Sequence, residues 1–477
     1  MKRLTALFVI LSLLFAVACG ASHDAPGTVS EAGSESDTEA SYYACGPAEQ
    51  SENPGERSEV PGEQSEESEA PAEQSEESEA PAEQSVITFL SAQDFTTYRT
   101  AEDVSKQFKT QYDSFALELF KKSFHGDSAL VSPLSALIAL QMAANGAKGQ
   151  TSEEMAHTLG GSMATEEMNR QLFNYWKQLE NFSGNGAAFR TANAVWMTDR
   201  EDFKVKNEFI YIINNTFDAA ITRAPFNNAA VDAINEWCKK NTDGMIPDIL
   251  GYDDVNYDTI MVLLNAICFD ALWDEQYEKY QCIEADFRGK KGDTVVNMMY
   301  SDEGGYISGE HETGFFKTYR GRFAFLALLP EEGMSMSEYL ASLDGERFAS
   351  LIRDARGPVH AGIPQFKYDW SGSLVPALKA MGMTTPFTRS ADFSGLGVMR
   401  DDSSIRISDV YQKTHIEVDP SGTKAAAVTA VMLANEGMAY DPSQEWHTVI
   451  LDRPFVYAIV DTGSFLPVFI GCMTDIG

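Results

Sequence analysis

Two stretches of this 477-residue chain bring together residue types that could do chemistry. The first is Val460-Asp461-Thr462-Gly463-Ser464, which reads like the loop of an aspartic protease. That chemistry needs two carboxylates sharing one proton, so a second motif or a dimer would have to supply the partner. The motif occurs once, close to the C-terminus, and Asp-Thr-Gly is also ordinary turn chemistry. The second stretch is VDPSGTKAAAVTAVMLANEG, residues 418–437, a long run of small residues set between strand-like segments. One reading of it is an Ala-rich helix, N-capped by Thr423 and ended by Gly437. No Gly-x-Ser-x-Gly, His-Glu-x-x-His or Walker sequence is present, so hydrolase and nucleotide-binding chemistry lack support. The seven histidines are scattered and suggest no ligand set.

The elements that must position these stretches begin only after a long polar lead. Residues 1–20, MKRLTALFVILSLLFAVACG, combine a basic start, an apolar core and small residues before Cys19. Residues 1–18 read as a secretory signal, too short to span a bilayer. Ala16-Val17-Ala18-Cys19 resembles a bacterial lipobox, with Cys19 as the lipidated mature N-terminus; a plain secretory cleavage site is the alternative. Residues 19–91 read as an acidic Ser/Glu/Pro-rich linker carrying the repeats PGEQSEESEA, PAEQSEESEA and PAEQS. Such a segment buries too little apolar surface to offset its ordering entropy, so it is expected to be disordered, and its like charges should extend it. The formal net charge of −35 argues against a nucleic-acid partner. Cys45, Cys238, Cys268, Cys282 and Cys472 are widely spaced with no Cys-x-x-Cys pair, which signals neither a disulfide framework nor a zinc site. Cys268 and Cys472 lie in apolar runs and read as buried core thiols. No metal or cofactor is expected.

Residues 92–477 form the globular part. Phe108, Tyr112, Phe115, Leu117 and Phe120 recur at near-helical spacing within 104–122. Ser132-Pro133 opens a second helix as N-cap and first-turn proline, and Thr151-Ser152-Glu153-Glu154 resembles another helix start. Ala192–Met197 and Met261–Phe269 are apolar runs of strand length without alternation, so both faces should be covered. Between them Val231–Lys240 is helical and Thr242-Asp243-Gly244 stops it. Phe323–Leu329, Gly357–Phe366, Thr448–Ile450, Pro454–Val460 and Leu466–Ile470 read as later strands. Helices cluster early and strands late, which makes the fold class α+β with large, mostly antiparallel sheets.

Several segments also occur in a specific order: Ser132-Pro133-x-Ser135 with NGAKGQT (145–151), NAVW (193–196), INEWCKKNTDGMI (234–246), LLNAICFDALW (263–273), FLALLPEEG (325–333), IPQFKYD (363–369), PFTRSADFSGL (386–396) and RPFVYAIVDTGSFLPVFIGCM (453–473). With these the chain resembles the serpins, the serine-protease-inhibitor family, over about 105–477. The resemblance implies a serpin fold with an exposed reactive-centre loop. It further implies a non-enzymatic suicide inhibitor, whose target protease cuts the loop and is trapped when the loop inserts into the main sheet. The target would be an extracellular serine or cysteine protease, and the inhibitor a monomer. Residues 418–437 then become the loop hinge, with Gly422, Thr423, Ala425, Ala426, Ala427 and Thr429 small enough to slide between paired strands. Family spacing puts the cut bond Glu436–Gly437 fourteen residues beyond Gly422, with Ala434, Met438, Ala439 and Tyr440 as alternatives if the register shifts. Ser132, Ser135 and Asn265 match the polar "shutter" beneath the opening sheet, and Trp273 the tryptophan where the loop first enters. Gln412 stands where animal members often carry His, Lys424 where Glu is usual, and Pro420-Ser421 where the family usually has Glu-Glu. Pro420 should make one ladder hydrogen bond unavailable, which leaves its effect on the insertion rate open. The competing function is a non-inhibitory serpin serving as a surface binding or adhesion module. Together with the Cys19 anchor, the reading is of a lipid-tethered protein on a bacterial cell surface.

Overall fold

The computed structural model describes residues 88–90 (as backbone), 103–161, 163–181, 186–401, 403–423 and 445–477. All fall in one unit, Pro81–Gly477; the other, Met1–Ala80, lies outside the described residues, as do the expected signal, Cys19 and the acidic repeats. Strand β1 (Thr88–Leu90) precedes helix α1 (Lys106–Ser123), whose cap Ser105 accepts the Phe108 N–H at 3.1 Å. Its five apolar positions named above are all buried. Strand β2 (Ala129–Val131) leads into α2 (Pro133–Ala144), with Ser132 as cap and Pro133 in the first turn, as the sequence implies. Helix α3 (Gly149–Gly160) begins before Thr151, with Lys148 at its cap. The helix start expected at Thr151–Glu154 thus lies inside the helix, and both ends of that stretch are engaged elsewhere. Thr151 Oγ1 accepts the Asp392 N–H (2.9 Å), and Glu154 accepts the Thr384 and Thr385 N–H groups (2.8 and 2.6 Å). Partial desolvation pushes the Glu154 carboxyl upward, but bonds from Thr385, Thr384 and Gln150 prevail and hold it at about 2.

Next come α4 (Thr165–Asn181), β3 (Ala187–Thr198), β4 (Phe203–Val205), α5 (Asn207–Phe217), β5 (Ala220–Ala224) and α6 (Asn228–Asn241). Helix α6 stops at Thr242-Asp243-Gly244 as expected, Asp243 and Gly244 both at positive φ (49° and 78°). The second half holds β6 (Met261–Leu272), β7 (Cys282–Gly289), β8 (Gly292–Glu303), β9 (Gly305–Ser308), β10 (Glu312–Thr318), β11 (Phe323–Pro330), α7 (Met336–Ser342) and α8 (Gly345–Asp354). It closes with β12 (Val359–Pro364), β13 (Phe366–Ser373), α9 (Val375–Ala380), β14 (Gly397–Met399), β15 (Tyr411–Val418), β16 (Gly422–Thr423), β17 (His447–Ile450), β18 (Phe455–Asp461) and β19 (Pro467–Met473). The run expected over 357–366 thus holds the whole of β12 and the first residue of β13.

The main sheet has seven strands in the order β1-β5-β3-β6-β16-β15-β13; a six-stranded sheet, a four-stranded sheet (β17-β12-β8-β7) and the pair β14-β4 complete the set. Among the described strands only β3–β5 and β12–β17 pair in parallel. Thr88–Leu90, read from the sequence as the end of the linker, instead extends this sheet by pairing with Ile221–Arg223. One face of the main sheet meets the large core, where β3 and β6 contribute Val195, Met197, Ile267 and Phe269. The other face meets α6 through Ala194, Trp196 and Leu264 against Val231 and Ile234. Double coverage is why β3 and β6 read as unbroken apolar runs. Cys268 and Cys472 are buried thiols outside any disulfide, as expected. Asp461 closes the β18–β19 turn: it pairs with Arg322 and accepts the Gly463 and Ser464 N–H groups (3.1 and 2.9 Å). Its carboxylate holds the turn.

Candidate functional site

The centre of the main sheet is where the small-residue stretch begins. Strand β6 is twelve residues long and β15 eight, yet β16 between them has two. Gly422 pairs with Leu272, and Thr423 pairs with Ala271 on one side and Val418 on the other. Below those rungs no described strand joins β6 to β15. From Met261 to Asp270, β6 therefore presents backbone donors and acceptors toward β15 without a described partner. Hollows of about 100 and 40 Å³ border this gap, lined by Ser135, Asn265 and Gln412 among others. Such an edge favours pairing with an added strand, since unpaired buried backbone groups are costly.

A tight turn seeds β16. Asp419 and Gly422 exchange backbone bonds (2.9 and 3.3 Å), and the Asp419 carboxylate accepts the N–H groups of Ser421 (2.7 Å) and Gly422 (3.0 Å). Pro420 stands at the first central position of this turn, where its fixed φ is favourable and its missing N–H is not wanted. The ladder bond that Pro420 was expected to remove is therefore not one the structure uses. Gly422 is required for closeness rather than for an unusual φ: a Cβ there would lie 2.1 Å from the Ala271 carbonyl oxygen and 2.8 Å from Leu272 Cα. Thr423 is buried and shares a hydroxyl–hydroxyl bond with Tyr319. That bond and its ladder pairing place Thr423 in a strand, not at a helix cap.

The residues 273–277 hold the turn carbonyl by carbonyl. Trp273 Nε1 donates to Asp419 O (2.8 Å), Tyr277 N to Pro420 O (2.9 Å) and Trp273 N to Ser421 O (2.9 Å), with Gln276 Nε2 reaching Ser421 O at 3.0 Å. Trp273 is fully buried and stacks on Tyr319, ring centroids 4.3 Å apart. Burial pushes the Tyr319 and Tyr277 phenols up, so both stay neutral.

The polar cluster lower in the gap ties the sheet to α2. Gln412 on β15 accepts the Ser132 N–H (3.0 Å) and donates to Ser132 O (2.9 Å), while Ser132 Oγ donates to Val468 O (2.9 Å). Ser135 Oγ donates to Asn265 O (3.3 Å), and Asn265 Nδ2 to Asn193 Oδ1 (2.7 Å). The side-chain oxygen of Asn265 is buried without a hydrogen-bond partner. The structure thus brings together Ser132, Ser135 and Asn265 at the lower gap, and Trp273, Gly422 and Thr423 at its top. Ala425, Ala426, Ala427, Thr429 and the Glu436–Gly437 bond lie outside the described residues, with Ala434, Met438, Ala439 and Tyr440. Sequence reading missed Asn193, Tyr277, Tyr319 and Asp419, which converge from separated segments. Only Asp419, just before a Pro-Ser-Gly turn, carried a local sign of its role.

Comparison with known proteins matches a family model described as Serpin (serine protease inhibitor) to residues 110–476. The chain is 30% identical over 386 residues to leukocyte elastase inhibitor A of Rattus norvegicus, covering 77% of this chain and 98% of that protein. It is 28% identical over 385 residues to an uncharacterized serpin-like protein of Thermococcus kodakarensis, covering 78% and 87% respectively. Among solved structures it superimposes on the native state of tengpin, a thermophilic serpin, with a TM-score of 0.73 and 37% identity, covering 79% of this chain and 96% of that one.

Proposed function

Because the chain belongs to the serpin family, whose members are in general protease inhibitors rather than enzymes, we propose that it is a single-use trap for a serine or cysteine protease. The protease would cut the reactive-centre loop at Glu436–Gly437, and residues from Thr423 onward would then fill the gap between β6 and β15. The observation that carries this reading is the two-residue strand β16, already paired with both β6 and β15 above edges that no described residue occupies. Insertion would add two ladders of backbone bonds, each bond worth about 1 kcal/mol net. That gain would drag the acylated protease with the loop and distort the oxyanion hole and triad on which deacylation depends. The intact molecule would then be kinetically rather than thermodynamically stable. Turn formation through Asp419 and Pro420 supports insertion, since the chain already reverses at the point where the new strand must start.

Incubation with a glutamyl-specific serine protease tests the proposal: a protease–inhibitor band that survives denaturing electrophoresis supports it. Clean cleavage of the loop with no trapped band would favour the non-inhibitory reading, a binding or adhesion module. The N-terminal reading extends the proposal to location: lipidation at Cys19 would tether the domain to a bacterial membrane through the acidic linker. Cys19→Ala should release the protein from the membrane fraction, and retention of that variant would refute the anchor.

A further inference from the structure

Under the 273–277 segment lies an ionic circuit that the insertion reading leaves unused. Lys317, on β10, has only 3% of its side chain exposed, and its Nζ donates to Glu303 Oε1 at 2.8 Å. Glu303 Oε1 also accepts from Ser301 Oγ (2.7 Å), and Ser301 Oγ lies 3.2 Å from the Tyr277 hydroxyl. The ammonium closes the circuit through rings: it sits 4.5 Å from the Tyr277 centroid and 5.5 Å from that of Trp273. A cation within about 6 Å of an aromatic face is attracted by the ring quadrupole, most strongly where water is excluded. The two rings it holds belong to residues whose N–H groups grip the Asp419–Ser421 carbonyls.

We propose that Lys317 is a positioning residue for loop insertion: its buried charge locks Trp273 and Tyr277 into the platform that keeps the Asp419–Gly422 turn in register with β6. The proposal rests on the inhibitory reading and adds the group that sets its efficiency. A trap of this kind is a race between insertion and deacylation. A platform free to rock lets Gly422 and Thr423 leave their rungs, insertion starts late, and more loops are cut without capture. A buried ion pair that served cohesion alone would not need to face two rings. Here the cation contacts both residues that hold the turn.

The test compares the full-length protein with Lys317→Met, Lys317→Arg and the double variant Lys317→Met/Glu303→Gln, using the glutamyl-specific protease as probe. The double variant matters because Lys317→Met alone strands a mostly buried carboxylate and endangers folding. The readouts are the inhibitor consumed per protease trapped and the rate of first loop acylation. We expect about tenfold more inhibitor consumed per capture for both methionine variants, equal to about 1.4 kcal/mol. Acylation should be unchanged, and Lys317→Arg, which keeps a cation over the rings, should restore capture. Wild-type consumption in the double variant would overturn the role of Lys317 while leaving the trap intact. A wild-type protein that captures nothing would overturn both.

Discussion

Gly422→Ala probes the seeding of β16 most sharply. The added Cβ would sit 2.1 Å from the Ala271 carbonyl oxygen and 2.8 Å from Leu272 Cα. Both are backbone atoms of a strand buried in the middle of a sheet, so neither neighbour can swing aside. Overpacking of this kind costs about 1–3 kcal/mol. The cheapest relief is for the two-residue strand to leave the sheet, which gives up its rungs to Ala271, Leu272 and Val418 and the Thr423–Tyr319 bond. A loop that must regain that position against the same strain inserts more slowly by roughly five- to 150-fold. The proposed reacting bond, Glu436–Gly437, lies fourteen residues away, so the first acylation should keep its rate. The assay is titration of protease with inhibitor beside stopped-flow acylation kinetics. The expected result is unchanged acylation with a several-fold larger share of inhibitor cleaved rather than captured. Wild-type partitioning in Gly422→Ala would refute the argument that close approach of Gly422 to β6 starts insertion.

Gln412→Ala should lower the stability of the intact form by about 1–3 kcal/mol, because it leaves the buried Ser132 N–H without a partner while the Ser132 carbonyl keeps only the Ala136 N–H; urea unfolding would show it, and an unchanged midpoint would contradict the role of this link. Asp113 is buried with one carboxylate oxygen unpartnered, and desolvation raises it to about 8 despite Lys109 and Arg353. A raised acid stabilises the fold below its unfolded value near 3.8 and loses that contribution as pH climbs to about 8. Melting temperature should therefore fall between pH 4 and pH 8, and Asp113→Asn should flatten that slope and be the more stable protein at pH 8 by up to about 5 kcal/mol. Parallel pH profiles for the two proteins would refute the burial cost.

Strands β3, β6, β11, β18 and β19 were legible because covered faces on both sides demand continuous apolar runs. The cap at Ser132 was legible because capping is local. The hairpin of β7 and β8 was not: its strands carry Glu284, Asp286 and Arg288 and leave Ile283 and Val295 exposed, so no period announces them. Pro420 was misjudged for a related reason. Whether a proline falls in a ladder or a turn depends on which residues pair across the sheet, and Asp419 and Gly422 decide that here. The Lys317–Glu303–Tyr277 circuit had no sequence sign at all, since it joins three segments through the tertiary fold. Of the stretch 418–437, residues 418–423 lie among the described residues, and Gly422 and Thr423 show the register at which the small-residue run meets the sheet.

One comparison bears on all of this: the melting temperature of the intact protein against that of the same protein nicked once between residues 424 and 444. If the gap between β6 and β15 receives the freed loop, the nicked form melts distinctly higher. Equal or lower melting after nicking would mean that no strand is added, and the trap would have no source of driving force.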